Sequence, residues 1–236
     1  MTAAEPTDIP ALAQRLAALR TPGQTFVVGL TGAVAAGKST LAEALRDTLS
    51  TSGLTADLVC TDGFLFPNAV LESKGLALRK GFPESYDTDS MMAAIWTARS
   101  GRVGFPGYSH TTYDVDPALS RAIDRPDVLI VEGLGFPPDH AGVDALIYLD
   151  AEETDLQAWF AARFMRLWAQ AEFDPTSFYF RFRVMDKTRA EAFAAQVWER
   201  INLPNLRDHI IHHRAGADIV LRKAPDHTLS LVRPPQ

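Results

Sequence analysis

Gly32-Ala33-Val34-Ala35-Ala36-Gly37-Lys38-Ser39 has the G-x-x-x-x-G-K-S spacing of a phosphate-binding loop. Such a loop wraps a phosphate with backbone N–H groups, so side chains near it must be small or absent. The context on both sides agrees. Phe26-Val27-Val28-Gly29-Leu30 is a continuous apolar run, as expected of a strand buried on both faces. Lys38 to Leu49 reads as a helix, with Leu41, Leu45 and Leu49 four residues apart. Its N-terminal dipole adds to the pull on an anion. The chemistry of the loop assigns Gly32, Ala33, Val34, Ala35, Ala36, Gly37, Lys38, Ser39 and the adjoining Thr40 to nucleotide binding. Lys38 would reach the β- and γ-phosphates and Ser39 would ligate Mg²⁺. A chance match in a chain of 236 residues has a frequency on the order of a percent, so the loop is the anchor of the reading.

Further strands are expected at Asp57–Cys60, Val128–Val131, Ala145–Leu149, Ile219–Leu221 and Leu229–Val232. Helices are expected at Ala11–Arg20, Thr88–Ser100, Asp155–Ala171 and Lys187–Ile201, and Met1–Pro10 as loose chain. This alternation implies an α/β fold of P-loop type: a parallel sheet flanked by helices. We expect one domain over residues 1–236, with a helical lid and acceptor pocket at about 155–205. Ligands in such sheets sit at the carboxyl ends of the strands. Asp62 and Glu132 each end an apolar run there. Glu132 is placed to orient a metal. For Asp62, the local sequence leaves two roles open: an acid facing the γ-phosphate and the acceptor hydroxyl, or Asp-Gly turn chemistry. Asp150, with Glu152 and Asp155 after it, reads as structural, near a helix start.

Composition narrows the function classes. Hydrophobic residues make up 47% and charged residues 22%, as in a soluble globular protein. A net charge of −6 argues against a broad nucleic-acid or anionic-membrane surface. No run is long enough to span a membrane, and the start lacks the features of a secretory signal. The single Cys60 excludes an internal disulfide and a zinc scaffold, which fits a reducing cytoplasm. Cys60, Met91 and Met92 read as core. Trp159 and Trp168 suit either core or a dimer contact. The aromatic and arginine run Ser177–Arg183 reads as lid and pocket wall rather than a nucleic-acid platform. His209, His212 and His213 read as a solvated helix end rather than a metal site.

Several longer stretches carry a family resemblance. They are Thr61-Asp62-Gly63-Phe64 running on to Pro67-Asn68, Lys80-Gly81-Phe82-Pro83-Glu84-Ser85-Tyr86-Asp87, Tyr108-Ser109-His110-Thr111-Thr112-Tyr113-Asp114, Glu132-Gly133-Leu134 and Trp198-Glu199-Arg200-Ile201-Asn202. From about Phe26 to Val232 the chain resembles the bacterial type I pantothenate kinases, P-loop kinases related to uridine kinase and phosphoribulokinase. The resemblance implies transfer of the ATP γ-phosphate to the primary hydroxyl of pantothenate, the first committed step of coenzyme A synthesis. It implies ATP and Mg²⁺ as cofactors, coenzyme A as inhibitor, and a homodimer. By position, Asp62 matches the catalytic acid and Arg163 an arginine at the γ-phosphate. Tyr108, His110, Tyr113 and Asn202 match substrate contacts. Tyr179, Phe182, Val197 and Ile201 match the apolar pocket, and His227 matches a position near the adenine. Phe160 stands where the family has a substrate-binding tyrosine, so one polar contact is lost. Leu167 replaces an aromatic residue used in feedback, and the region before Phe26 is short for the family. These departures keep two alternatives open: a nucleoside or sugar as acceptor, and a non-catalytic nucleotide or coenzyme A sensor.

Overall fold

In the computed structural model, residues 5–233 are described. The strands are β1 (Glu5–Thr7), β2 (Phe26–Gly32), β3 (Ala56–Cys60), β4 (Arg102–Ser109), β5 (Asp114–Asp124), β6 (Val128–Glu132), β7 (Ala145–Asp150), β8 (Ile219–Lys223) and β9 (Leu229–Arg233). The helices are α1 (Ile9–Leu19), α2 (Lys38–Thr51), α3 (Asn68–Ser73), α4 (Thr88–Ala98), α5 (Glu153–Gln170), α6 (Lys187–Val197), α7 (Leu203–Asp208) and α8 (His213–Gly216).

Seven strands form one sheet in the order β1-β9-β8-β7-β2-β6-β3. The five from β8 to β3 are parallel, and β9 and β1 close one edge in antiparallel register. Every residue of β2 is buried, because both neighbours and both faces are occupied. Side-chain alternation divides the core in two. Val28, Leu30, Val128 and Ile130 face Leu12 and Leu16 of α1 and Leu41, Leu45 and Leu49 of α2. Val27, Leu129 and Val131 face Met91, Ile95 and Ala98 of α4, with Phe105 and Ile123. Gly29 lets the sheet close up, since a Cβ there would lie 2.8 Å from Leu146 Cδ1. Side-chain caps fix the starts of α1, α4 and α6, where Asp8, Asp87 and Asp186 accept from Ala11, Ser90 and Arg189 N–H.

Several expectations need correction. The segment before α1 was expected to be loose, yet Glu5–Thr7 pairs with Leu229–Leu231; Met1 to Ala4 lie outside the described residues. The β4–β5 hairpin has no clear sequence signal, because β5 is mostly exposed and Gly104, Pro106 and Gly107 interrupt β4. The last expected helix stops as α6 at Val197 and continues as a wider π turn over Trp198–Asn202. His213 is buried, not solvated, and its Nδ1 lies 2.9 Å from His140 Nε2. Trp159 and Trp168 are half-buried on α5. Trp168 Nε1 donates to Phe182 O, and the Arg183 guanidinium lies over its ring.

Candidate active site

The phosphate loop joins β2 to α2 at the centre of the sheet. Gly32 has φ +145°, and a Cβ there would lie 2.4 Å from Leu149 O. Gly37 has φ +97°, a left-handed conformation that favours glycine at the helix entry. Ala35 also adopts positive φ, at 66°. Lys38 Nζ donates to Gly32 O and Ala33 O, both at 3.0 Å. Burial lowers its pKa, while the negative charges of Glu132 and Asp62 oppose that shift. Ser39 and Thr40 are exposed at the start of α2.

Glu132 ends β6 in register with Leu30 of β2 and Cys60 of β3. It is buried and accepts a hydrogen bond from Ser39 Oγ at 2.9 Å. The hydroxyl and the carboxylate form an all-oxygen pair, which suits a small hard cation.

Asp62 follows β3 in a tight turn, Thr61–Phe64. Its N–H donates to Cys60 Sγ at 3.4 Å, so the half-buried Cys60 helps to shape the turn. Asp62 Oδ1 accepts from Tyr86 Oη at 3.2 Å. The hairpin presses on this turn, and a Cβ on Gly63 would lie 2.2 Å from Pro106 O. The catalytic reading of Asp62 is therefore compatible with its position: it lies two residues beyond Cys60, which pairs with Glu132, and near enough to Lys38 to act on it electrostatically.

The expected acceptor residues gather around the hairpin tip and the α5–α6 segment. Tyr108 packs edge-on against both His110 and Tyr113. Tyr113 has φ 58° and stacks on Phe178 at 4.6 Å. Burial raises the pKa values of Tyr108, Tyr113 and Tyr179, so these phenols are donors at neutral pH. Tyr179 and Phe182 pack with Phe164, which makes the 178–184 run part of a pocket wall. Phe160 lies against Phe164 and Trp198. Val197 and Ile201 are half-buried at the α6 end. Among the described residues, no group hydrogen-bonds the buried Nδ2 of Asn202, an amide suited to a bound polar group. Arg163 is exposed on α5, and its charge reaches Lys38, Tyr113 and Tyr179.

Three further residues belong here. Lys80 Nζ donates to Asn68 Oδ1 and Tyr113 O, both at 2.6 Å, and lies over the Tyr108 and Tyr113 rings. Burial lowers its pKa, against the charges of Asp114 and Asp62. Lys223 Nζ donates to Ala36 O at 2.8 Å and lies 4.5 Å from the Trp159 ring centre. Trp159 in turn lies beside the exposed His227, 5.1 Å between ring centres. Lys80 belongs to the Lys80–Asp87 family stretch, which by itself gives it no role. Lys223 and Trp159 carried no local signal, because their partners are far away in sequence.

A phosphate loop at the centre of a parallel sheet, with acids on the next two strand ends, defines a P-loop kinase, a class that uses ATP. The sequence profile of the phosphoribulokinase/uridine kinase family matches residues 27–166. The pantothenate kinase of Rhodopseudomonas palustris (strain TIE-1) is 44% identical over 224 residues, covering 88% of this chain and 70% of that one. The pantothenate kinase of Sorangium cellulosum is 43% identical over 220 residues, covering 88% and 71%. Among solved structures, a putative fructose transport system kinase from Silicibacter sp. TM1040 aligns with TM-score 0.70 and 26% identity, over 85% of this chain and 93% of that one. A possible uridine kinase from Bacillus stearothermophilus aligns with TM-score 0.52 and 22% identity, over 63% and 82%, and shares the fold. The chain belongs to the phosphoribulokinase/uridine kinase family and, within it, to the pantothenate kinases.

Proposed function

We propose that this kinase transfers the γ-phosphate of ATP to the primary hydroxyl of pantothenate. The observation that supports the reading is that the charge of Asp62 acts on Lys38 of the phosphate loop and also on Tyr108 and Tyr113, in a chain 44% identical to a pantothenate kinase.

The loop N–H groups and Lys38 hold the β- and γ-phosphates. Ser39 and Glu132 would hold Mg²⁺, which when bound offsets charge on the phosphate oxygens. Asp62 takes the proton from the acceptor hydroxyl as its oxygen attacks phosphorus and the bond to the β-phosphate oxygen breaks. Arg163, exposed at the pocket, stabilises charge on the transferring group. Lys80 and the Asn202 amide bind polar groups of the acceptor, and Tyr108, His110, Tyr113, Tyr179, Phe182, Val197 and Ile201 enclose it. Phosphoryl transfer needs mainly positioning and electrostatics, so this set suffices. His227 and Trp159, linked to the loop through Lys223, would flank the base. The test is product identity: phosphorus NMR and mass spectrometry of the reacted mixture. A phosphomonoester on the primary hydroxyl of pantothenate is expected; ADP without that product counts against the reading.

Phe160 favours a second reading. Its ring has no hydroxyl for the acceptor and lies against Phe164 and Trp198. A sugar or nucleoside that needs no such contact would then be the acceptor. Comparing kcat/KM across acceptors separates the two readings.

A further inference from the structure

Tyr86 takes no part in the steps above, yet it is the phenol most tightly bound to them. The side chain is 5% exposed, and a buried hydroxyl needs a partner. That partner is Asp62 Oδ1, at 3.2 Å. Burial, more than any neighbour, raises the phenol pKa well above its ordinary value, so at neutral pH Tyr86 is the donor and the carboxylate accepts. The backbone of Tyr86 bridges Leu65, just beyond the Asp62 turn. Its ring fills space left by Gly135, where a Cβ would lie 2.7 Å from Tyr86 Cδ1. The same loop donates Leu134 N–H and Gly135 N–H to Thr61 Oγ1. Thus the loop that follows Glu132 and the turn that carries Asp62 close around one ring.

The charge of Asp62 also acts on Lys38, Cys60, Lys80, Tyr108 and Tyr113. Among the described residues, Tyr86 is the side chain that hydrogen-bonds its carboxylate. A carboxylate on a short turn can rotate, and misplacement of a reacting group is costly in rate.

We infer that Tyr86 is a positioning residue for phosphoryl transfer: its hydroxyl ties down Asp62 Oδ1 and leaves the second carboxylate oxygen to meet the acceptor hydroxyl. This rests on the reading of Asp62 as the acid at that hydroxyl. Replacement by phenylalanine keeps the ring in its slot and removes only the donor.

The experiment is a double-mutant cycle of the wild-type chain, Tyr86→Phe, Asp62→Asn and the double variant. Turnover is followed with ATP and pantothenate, at high enzyme concentration so that low rates register, and thermal midpoints are recorded alongside. Tyr86→Phe should lower kcat about tenfold, the effect of losing one hydrogen bond to a charged group. KM for ATP should stay within about twofold, since the loop is untouched. In the Asp62→Asn background the same change should alter kcat by less than about twofold. Near-normal kcat in Tyr86→Phe beside an inactive Asp62→Asn would overturn the positioning role and leave the Asp62 reading standing. Equal losses in both backgrounds would also overturn it, because a folding defect acts on both alike. Near-normal turnover in Asp62→Asn would overturn the reading of Asp62 and the role of Tyr86 with it.

Discussion

Lys38 donates to two carbonyls of its own loop, and burial already lowers its pKa. The ammonium is preorganised where phosphate oxygens would replace those carbonyls. Lys38→Met should cut kcat by roughly a hundredfold or more, with a raised KM for ATP; initial rates against ATP concentration check this. Asp62→Asn should lower kcat by about 10²–10⁴ with ATP affinity little changed, measured by steady-state rates and nucleotide titration. At this scale the sequence is legible where one residue type has one use. Gly32, Gly37, Lys38 and Ser39 announce a phosphate site by spacing alone. Asp62 does not, since Asp-Gly also makes turns, and its setting comes from the longer family motifs and from neighbours the fold brings in, Tyr86 and Lys38 among them. Lys80, Tyr86 and Lys223 were silent as site residues because each meets partners brought in by the fold, as Lys223 meets Ala36.

The central strands were readable as elements because burial on both faces leaves apolar runs. The β4–β5 hairpin was not, because most of β5 is exposed and two register neighbours are glycines, Gly104 and Gly107. It nevertheless positions the site. Phe178 N–H donates to Thr111 O at 2.7 Å, and the Phe178 ring stacks on Tyr113, which latches the α5–α6 segment to the hairpin tip. An aromatic pair of this kind contributes about 0.5–1.5 kcal/mol. Phe178→Ala should therefore raise the acceptor KM by roughly two- to tenfold and leave the ATP KM in place. Kinetics with each substrate varied in turn test this; an equal rise in both constants would contradict the latch. The end of α6 misled for a different reason. A π turn keeps helical periodicity while shifting register, so the apolar spacing continued to Ile201 although the helix ended at Val197.

Across the whole molecule, stability should depend on a histidine pair remote in sequence. His213 is buried, and burial first, then the neighbouring His140 and His212, lowers its pKa to about 4. Burial lowers the His140 pKa as well. The unfolded chain, near the usual ~6.5, takes up the proton first as pH falls. The contribution is therefore fully present above about 6.5 and is lost on descent towards pH 4, by roughly 2–3 kcal/mol. Thermal midpoints from pH 7.5 to 4.5 should fall more steeply for the wild-type chain than for His213→Gln; parallel curves would contradict this. Among the described residues no helix is long and apolar enough to cross a membrane. Coupled ADP release with ATP and Mg²⁺, comparing pantothenate, uridine, a hexose and a no-acceptor blank, decides the acceptor. Acceptor-dependent turnover with pantothenate is expected, at a kcat/KM at least about a hundredfold above the others. Turnover no higher than the blank, or a higher kcat/KM for the nucleoside or the sugar, would contradict it.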